Sequence, residues 1–409
     1  MEILRRRGAC WAATPSPRFA WEAWIAVDFR MKTMKSTSLS EAWRRWLLFL
    51  GLFPCLAGVA GERWSVDRAN TWYARQPWPV GANYAPRYAI NQLEMWQADT
   101  FDPKVIDQEF GWAAAVGMNV MRVFLHDLLW TTDSEGLLKR MDAFLEIAAR
   151  HRIKILFVFF DGVWDPDPKA GKQRAPKPGL HNSGWVQSPG RAILGDPARH
   201  ADLKPYVQGV LRRFKDDPRI FAWDLFNEPD NRNTDAYGSV ELPDKPEAAK
   251  TLLEKTFAWA REIAPSQPLT AGIWMDYEGW KQNPPIFQFM LANSDIITFH
   301  NYGPPDDMAR EVADLKKAYG RPVVCTEYMA RGNRSTFDPI LRDLKKAGVG
   351  AIHWGLVDGK SQTIYPWDSW KKPYTEEPKP WHHDVFRADG TPYRAEEVAL
   401  FRELAPRAP

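Results

Sequence analysis

Ile220-Phe221-Ala222-Trp223-Asp224-Leu225-Phe226-Asn227-Glu228-Pro229 is a nearly unbroken apolar run that stops at an asparagine, a glutamate and a proline. A short run of this kind reads as a strand buried on both faces, because a strand with one wet face alternates apolar and polar residues. Proline cannot donate to a β-ladder, so Pro229 ends the strand and leaves Glu228 at its C-terminal tip. Val323-Val324-Cys325-Thr326-Glu327-Tyr328 has the same form, an apolar run closing on Glu327. Burying an unpaired carboxylate is costly. Two strands that each end in glutamate therefore ask for a reason beyond packing.

Working outward from these two, eight such runs punctuate the chain, at residues 80–84, 120–125, 153–160, 220–226, 269–274, 296–300, 323–327 and 350–354. Amphipathic stretches lie between them. Asp102-Pro103 supplies a cap and a first-turn proline for a helix that runs to Val116, with Gly117 to stop it. Residues 136–150 place Leu137, Met141, Phe144, Leu145 and Ala148 on one face. Further helices are predicted at 202–214, 248–263, 286–292, 306–319, 338–346 and 395–403. Eight strand–helix units define the expected fold class: an α/β protein, a single-domain (β/α)8 TIM barrel. An open doubly wound sheet is the alternative, but no strand is followed by a Gly-rich phosphate loop. Two connections, 161–201 and 355–392, are long and unpatterned and follow strands three and eight. Loops of that length in a compact domain are usually functional, and both leave the rim where barrel active sites sit.

The 409 residues carry a net charge of only +3, with no basic stripe after residue 60, so a nucleic-acid partner is not expected. Arg44-Arg45, the apolar run 46–60 and the small residues Gly58-Val59-Ala60 follow the order of a secretory signal. The run has about 15 residues where a membrane span needs about 20. Residues 1–60 are accordingly read as a signal-peptide region, with translation starting at Met31 or Met34, and residues 61–409 as the barrel domain. This implies a secreted or periplasmic protein, without stable membrane insertion and acting as a monomer. Cys10, Cys55 and Cys325 match no redox or zinc spacing, and the eight histidines are scattered, so neither metal nor cofactor is expected. The 21 tryptophans are many for this length. Most serve packing, but an indole face is also a flat apolar platform for a pyranose ring.

Two carboxylates facing one another across a barrel mouth suit cleavage of a glycosidic bond. One gives a proton to the leaving oxygen while the other attacks the anomeric carbon. Here the sequence resembles glycoside hydrolase family 5, the cellulase-like family of the (β/α)8-barrel glycosidase clan, over residues 79–405. The matching residues are Asn227-Glu228 ending strand four, Glu327 ending strand seven, Arg122 on strand two, His300-Asn301-Tyr302 ending strand six and Trp354 ending strand eight. The resemblance implies that Glu228 is the acid/base and Glu327 the nucleophile of a retaining β-glycosidase. It implies that Arg122 and Tyr302 hold Glu327, that Asn227 holds the sugar 2-hydroxyl, and that His300 bonds the sugar or the acid/base side. Trp354 would floor the subsite of the reacting sugar.

One position departs from the family pattern. Where a histidine usually ends strand three, this chain has Phe159-Phe160-Asp161-Gly162, which makes Asp161 a candidate sugar contact, with His126 and Asp127 as substitutes for the missing group. Trp130, Trp164, Trp185, Trp274 and Trp280 are candidate platforms. The implied partner is a β-linked, plant-type poly- or oligosaccharide, β-1,4-linked in this reading. Three alternatives stay open at this level: a sugar-binding barrel impaired in catalysis, a metal-dependent hydrolase on the same scaffold, and a transglycosylase using the same residues.

Overall fold

Each apolar run becomes a strand, in the order the sequence sets. The computed structural model describes residues 61–405; the segment expected to be an export signal, residues 1–60, lies outside the described residues. The strands are β1 (Val80–Asn83), β2 (Val120–Phe124), β3 (Lys154–Asp161), β4 (Ile220–Asn227), β5 (Leu269–Thr270), β6 (Ile297–His300), β7 (Val323–Glu327) and β8 (Gly350–Trp354). They form one parallel sheet in the order β5-β4-β3-β2-β1-β8-β7-β6. The seam between β5 and β6 is closed by a single bridge, Ile273 to Phe299, and by a 2.7 Å hydrogen bond between the hydroxyls of Thr270 and Thr298. The result is a single, nearly closed (β/α)8 barrel.

The runs are apolar throughout because both strand faces are covered. On β2, Met121 and Val123 face the helices, while Val120 and Phe124 join Leu156, Val158, Val324 and Ile352 in the barrel lumen. Neighbouring strands approach closely enough to dictate a glycine: a Cβ at Gly81 of β1 would fall 1.6 Å from the Val120 carbonyl oxygen. Trp72 and Tyr73, on an N-terminal helix (Val66–Ala74), pack on the same lumen cluster, with Trp72 5.1 Å from Phe221.

Among the described residues, one principal helix follows each strand: α1 (Pro103–Ala115), α2 (Asp127–Arg150), α3 (Lys204–Phe214), α4 (Lys245–Ile263), α5 (Pro285–Asn293), α6 (Pro305–Tyr319), α7 (Phe337–Lys346) and α8 (Ala395–Leu404). Asp102 caps α1 by accepting from the amides of Lys104 and Val105 at 2.9 and 3.2 Å. Helix α2 begins nine residues before the predicted start at 136, and the reason is a kink. Asp133 leaves helical geometry (φ −161°, ψ 69°) and accepts from the Gly136 amide at 3.0 Å, so it caps the second half of the helix. Among the described residues, no helix is long and apolar enough to cross a membrane.

Candidate active site

The C-terminal tips of the strands converge on a cleft of about 910 Å3. Glu228 and Glu327 both line it, from β4 and β7, and both are buried. Glu228 has a positive φ of 38°, a backbone region that costs a non-glycine residue about 1–2 kcal/mol. The position is held from below by Gly162: a Cβ there would lie 2.3 Å from the Glu228 carbonyl oxygen. The Gly162 amide donates to the Asn227 carbonyl at 2.8 Å. Its own carbonyl accepts from the Lys245 ammonium at 2.6 Å, which in turn pairs with Glu241 at 2.6 Å, both side chains fully buried.

Glu327 sits among donors. Arg122 donates to one of its oxygens at 2.8 Å and the Tyr302 hydroxyl to the other at 2.8 Å. Arg122 is fully buried and is itself fixed by Asp224 at 2.7 Å, Asn227 at 2.7 Å and Asn83 at 2.8 Å. Five side chains from β1, β2, β4 and β7 are thus locked in one network. Glu228 has a different setting. His300 Nδ1 lies 2.8 Å from one oxygen and the Asn231 amide donates to the other at 2.6 Å. Burial pushes the Glu228 carboxyl up to about 7. Burial also raises Glu327, but His300, Arg122 and the Tyr302 hydroxyl oppose the rise. His300, depressed to about 4 by burial, is neutral near pH 7. Carboxylate oxygens of the two glutamates and a ring nitrogen of His300 all fall within 4.8 Å of one another. A divalent cation could in principle use those three groups. The guanidinium beside Glu327 opposes a further positive charge, and His300 Nδ1 is already engaged with Glu228.

The remaining sequence candidates divide. Asn227 and Trp354 line the cleft, and Trp354 packs edge-on to Phe124 and Trp185 at 5.7 and 6.0 Å. Asp161 borders the cleft, but its oxygens accept from Asn227 at 2.9 Å, Trp185 at 2.6 Å and Gln92 at 3.1 Å. It orients Asn227 from behind and has little carboxylate left for a sugar. Trp164, Trp185 and Trp274 border the cleft, whereas Trp130 packs on Gly209 and Tyr206, and Trp280 on Tyr277. His126 caps α2 through the Leu128 amide, and Asp127 bonds Ser188 at 2.8 Å. Neither borders the cleft. The structure adds Asn231, His181, Asn182 and His383, none of them singled out by sequence. All four lie in loops, where no periodicity marks a residue as facing inward.

Fold and cleft together define the class: a (β/α)8 barrel whose open end carries two buried glutamates on the tips of β4 and β7. No family model matches the chain. It is 22% identical over 284 residues to mannan endo-1,4-β-mannosidase 7 of Arabidopsis thaliana, covering 55% of this chain and 61% of that protein. It is 23% identical over 297 residues to mannan endo-1,4-β-mannosidase A of Emericella nidulans, covering 64% of this chain and 73% of that one. Its fold is similar to an exo-β-1,4-mannosidase from Opitutaceae bacterium strain TAV5, with a TM-score of 0.53 and 17% identity, over 80% of this chain and 59% of that chain. The chain thus spans about three fifths of the length of the first of these relatives. In sequence, then, the chain is similar to O-glycosyl hydrolases of the mannanase kind, and in fold to a β-mannosidase barrel.

Proposed function

We propose that this chain is a retaining β-glycoside hydrolase, cleaving β-linked poly- or oligosaccharides, β-1,4-linked ones foremost, by double displacement. The carrying observation is that oxygens of Glu228 and Glu327 lie within 4.8 Å of each other in unlike surroundings. Retaining glycosidases hold the two carboxyls about 5–5.5 Å apart, while inverting ones leave about 6.5–9.5 Å for a water molecule. In this reading Glu228, whose carboxyl is raised to about 7, protonates the glycosidic oxygen as the C1–O bond breaks. Glu327 forms the new bond to C1. Glu228, now a carboxylate, then takes a proton from water, whose oxygen displaces Glu327 from C1. Arg122 and Tyr302 keep Glu327 oriented and favour its ionised form. Asn227, held by Arg122 and Asp161, keeps one N–H for the sugar 2-hydroxyl, and Trp354 floors that sugar. The curated relatives act on mannan, which makes β-mannosides the first substrates to try. We also assign residues 1–60 to an export signal and the protein to the secreted or periplasmic space, as a monomer.

The test pairs two variants on the full chain. Glu327→Gln should lower turnover by on the order of 10^4-fold or more, the scale of losing a nucleophile. Glu228→Ala should recover turnover of an activated aryl glycoside when azide is added, with the β-glycosyl azide as product. Normal turnover by Glu327→Gln, or an α-configured first product in the wild type, would remove the assignment.

A further inference from the structure

The loops that follow β3 and β8 do not stand apart at the rim; they are stitched together. The amide of Asn182 donates to the Ser361 carbonyl at 2.9 Å and that of Tyr374 to the Gly179 carbonyl at 2.9 Å. His181 is clamped three ways: its amide donates to Ser369 Oγ at 3.0 Å, its Nδ1 meets the Tyr365 carbonyl at 2.7 Å, and its carbonyl accepts from the Trp370 indole at 2.8 Å. Trp164 stacks on Trp370 with centroids 5.6 Å apart. The loop after β4 joins them, with Tyr237 5.3 Å from Trp370 and Lys371 paired to Asp235. In the sheet order, β3 and β8 flank β2 and β1. Their joined loops therefore roof that sector of the rim.

This roof stands on a defined side of the carboxylate pair. Glu228 must give its proton to the oxygen that leaves, so the leaving portion lies on its side, beside Asn231 and towards Asp230 and Trp274, which are joined by a 2.7 Å hydrogen bond. The sugar attacked by Glu327 lies the other way, against Trp354. Trp367, from the β8 loop, bridges Tyr302 and the roof, 5.1 Å from the Tyr302 ring. Within the roofed end, Asn182 borders the cleft in left-handed backbone geometry (φ 50°), is 1% exposed, and neither atom of its side-chain amide has a protein partner. A buried amide with no partner is costly, so such a group calls for a ligand.

Resting on the glycosidase reading above, we infer that the enzyme acts from the chain end: the roofed sector is a blind chamber for a single non-reducing terminal sugar, and Asn182 is the specificity-determining residue that binds its hydroxyls. Each turnover adds one water and frees one monosaccharide. A chain running past the reacting sugar on that side would have to pass through the stitched loops. The opposite side, with Trp274, Asp276, Pro304 and Asp307 on its border, takes the rest of the chain.

The experiment uses the full chain and borohydride-reduced β-1,4-linked hexasaccharides of mannose, glucose and xylose, with products resolved over time. Monosaccharide as the first product, with a reduced pentasaccharide beside it, is expected. Early products of two to four sugars, with rapid viscosity loss on the matching polysaccharide, would overturn the chamber and leave the glycosidase reading standing. Failure to cleave any of these and any aryl β-glycoside would remove both. In the same assay Asn182→Ala should lower kcat/KM on the aryl β-monoglycoside by about 10-fold or more, mostly through KM, the effect of losing hydrogen bonds to a buried hydroxyl. An unchanged kcat/KM would remove Asn182 from the chamber. Because Asn182 could support the loop as well, the wild-type product pattern decides the chamber independently.

Discussion

Asn231 offers a direct handle on the proton donor. Its amide donates to Glu228 Oε2 at 2.6 Å, and this contact holds down a carboxyl that burial lifts to about 7. A hydrogen bond to an ionised group contributes about 1.5–3 kcal/mol, and one pH unit corresponds to about 1.4 kcal/mol. Removing the donor in Asn231→Ala destabilises only the ionised form of Glu228, so its pKa rises. Two features temper the size. His300 Nδ1 stays 2.8 Å from the other oxygen, and water from the cleft can occupy part of the vacated place. The lower end of the range is expected, a rise of about one pH unit. The sign follows from the role: the acid must be protonated to act, so activity falls as pH passes its pKa. The basic limb of kcat/KM should therefore move from about 7 to about 8, while the acidic limb, dominated by Glu327, stays close to its place. The assay is a pH series of kcat/KM on a substrate with a poorly activated leaving group, which needs the proton. Asn231→Asp keeps the oxygen that accepts from the Asn233 amide and places a carboxylate beside Glu228. It should move the basic limb at least as far in the same direction. A basic limb that stays in place, or moves to lower pH in Asn231→Ala, would refute Glu228 as the acid.

Tyr302→Phe deletes one of the two donors on Glu327 and should cut kcat by about 10–100-fold with little change in thermal midpoint, read by steady-state kinetics beside calorimetry. Lys245→Met leaves Glu241 buried without its cation and should cost about 3–5 kcal/mol in urea unfolding, while Lys245→Met with Glu241→Leu should recover most of that loss. Prolonged dialysis against a chelator should leave kcat/KM unchanged, since Arg122 already supplies the positive charge that Glu327 requires; restoration by added metal would contradict this.

Much of the scaffold could be read from residue order because both strand faces are covered. Val120–Phe124 and Val323–Glu327 stand out as apolar runs for that reason. Strand β5 was harder: the expected run 269–274 pairs as a strand only at Leu269–Thr270, and the rest crosses to β6 through Ile273 alone. The N-terminal helix Val66–Ala74 has little periodic signal in the sequence because Ala69 is its only buried residue. In the site, Arg122, Asn227, Glu228, His300 and Glu327 fall on strands or their tips, where alternation assigns direction. Asp161 also ends a strand, but its engagement by Trp185, in a loop, and by Gln92, at the start of the short helix Gln92–Trp96, depends on connections whose paths no pattern encodes. The same applies to Asn182 and His181, whose positions follow from contacts to residues more than 170 positions away.

The stitching of the β3 and β8 loops also bears on how the protein comes into being. Their partners, Gly179 with Tyr374 and His181 with Ser369, sit on either side of five strands. A ribosome must therefore deliver nearly the whole barrel before the roof can exist. Half-barrel fragments could acquire native ladders and still lack the chamber. A protease cut in either loop would open it while leaving the glutamates where they are.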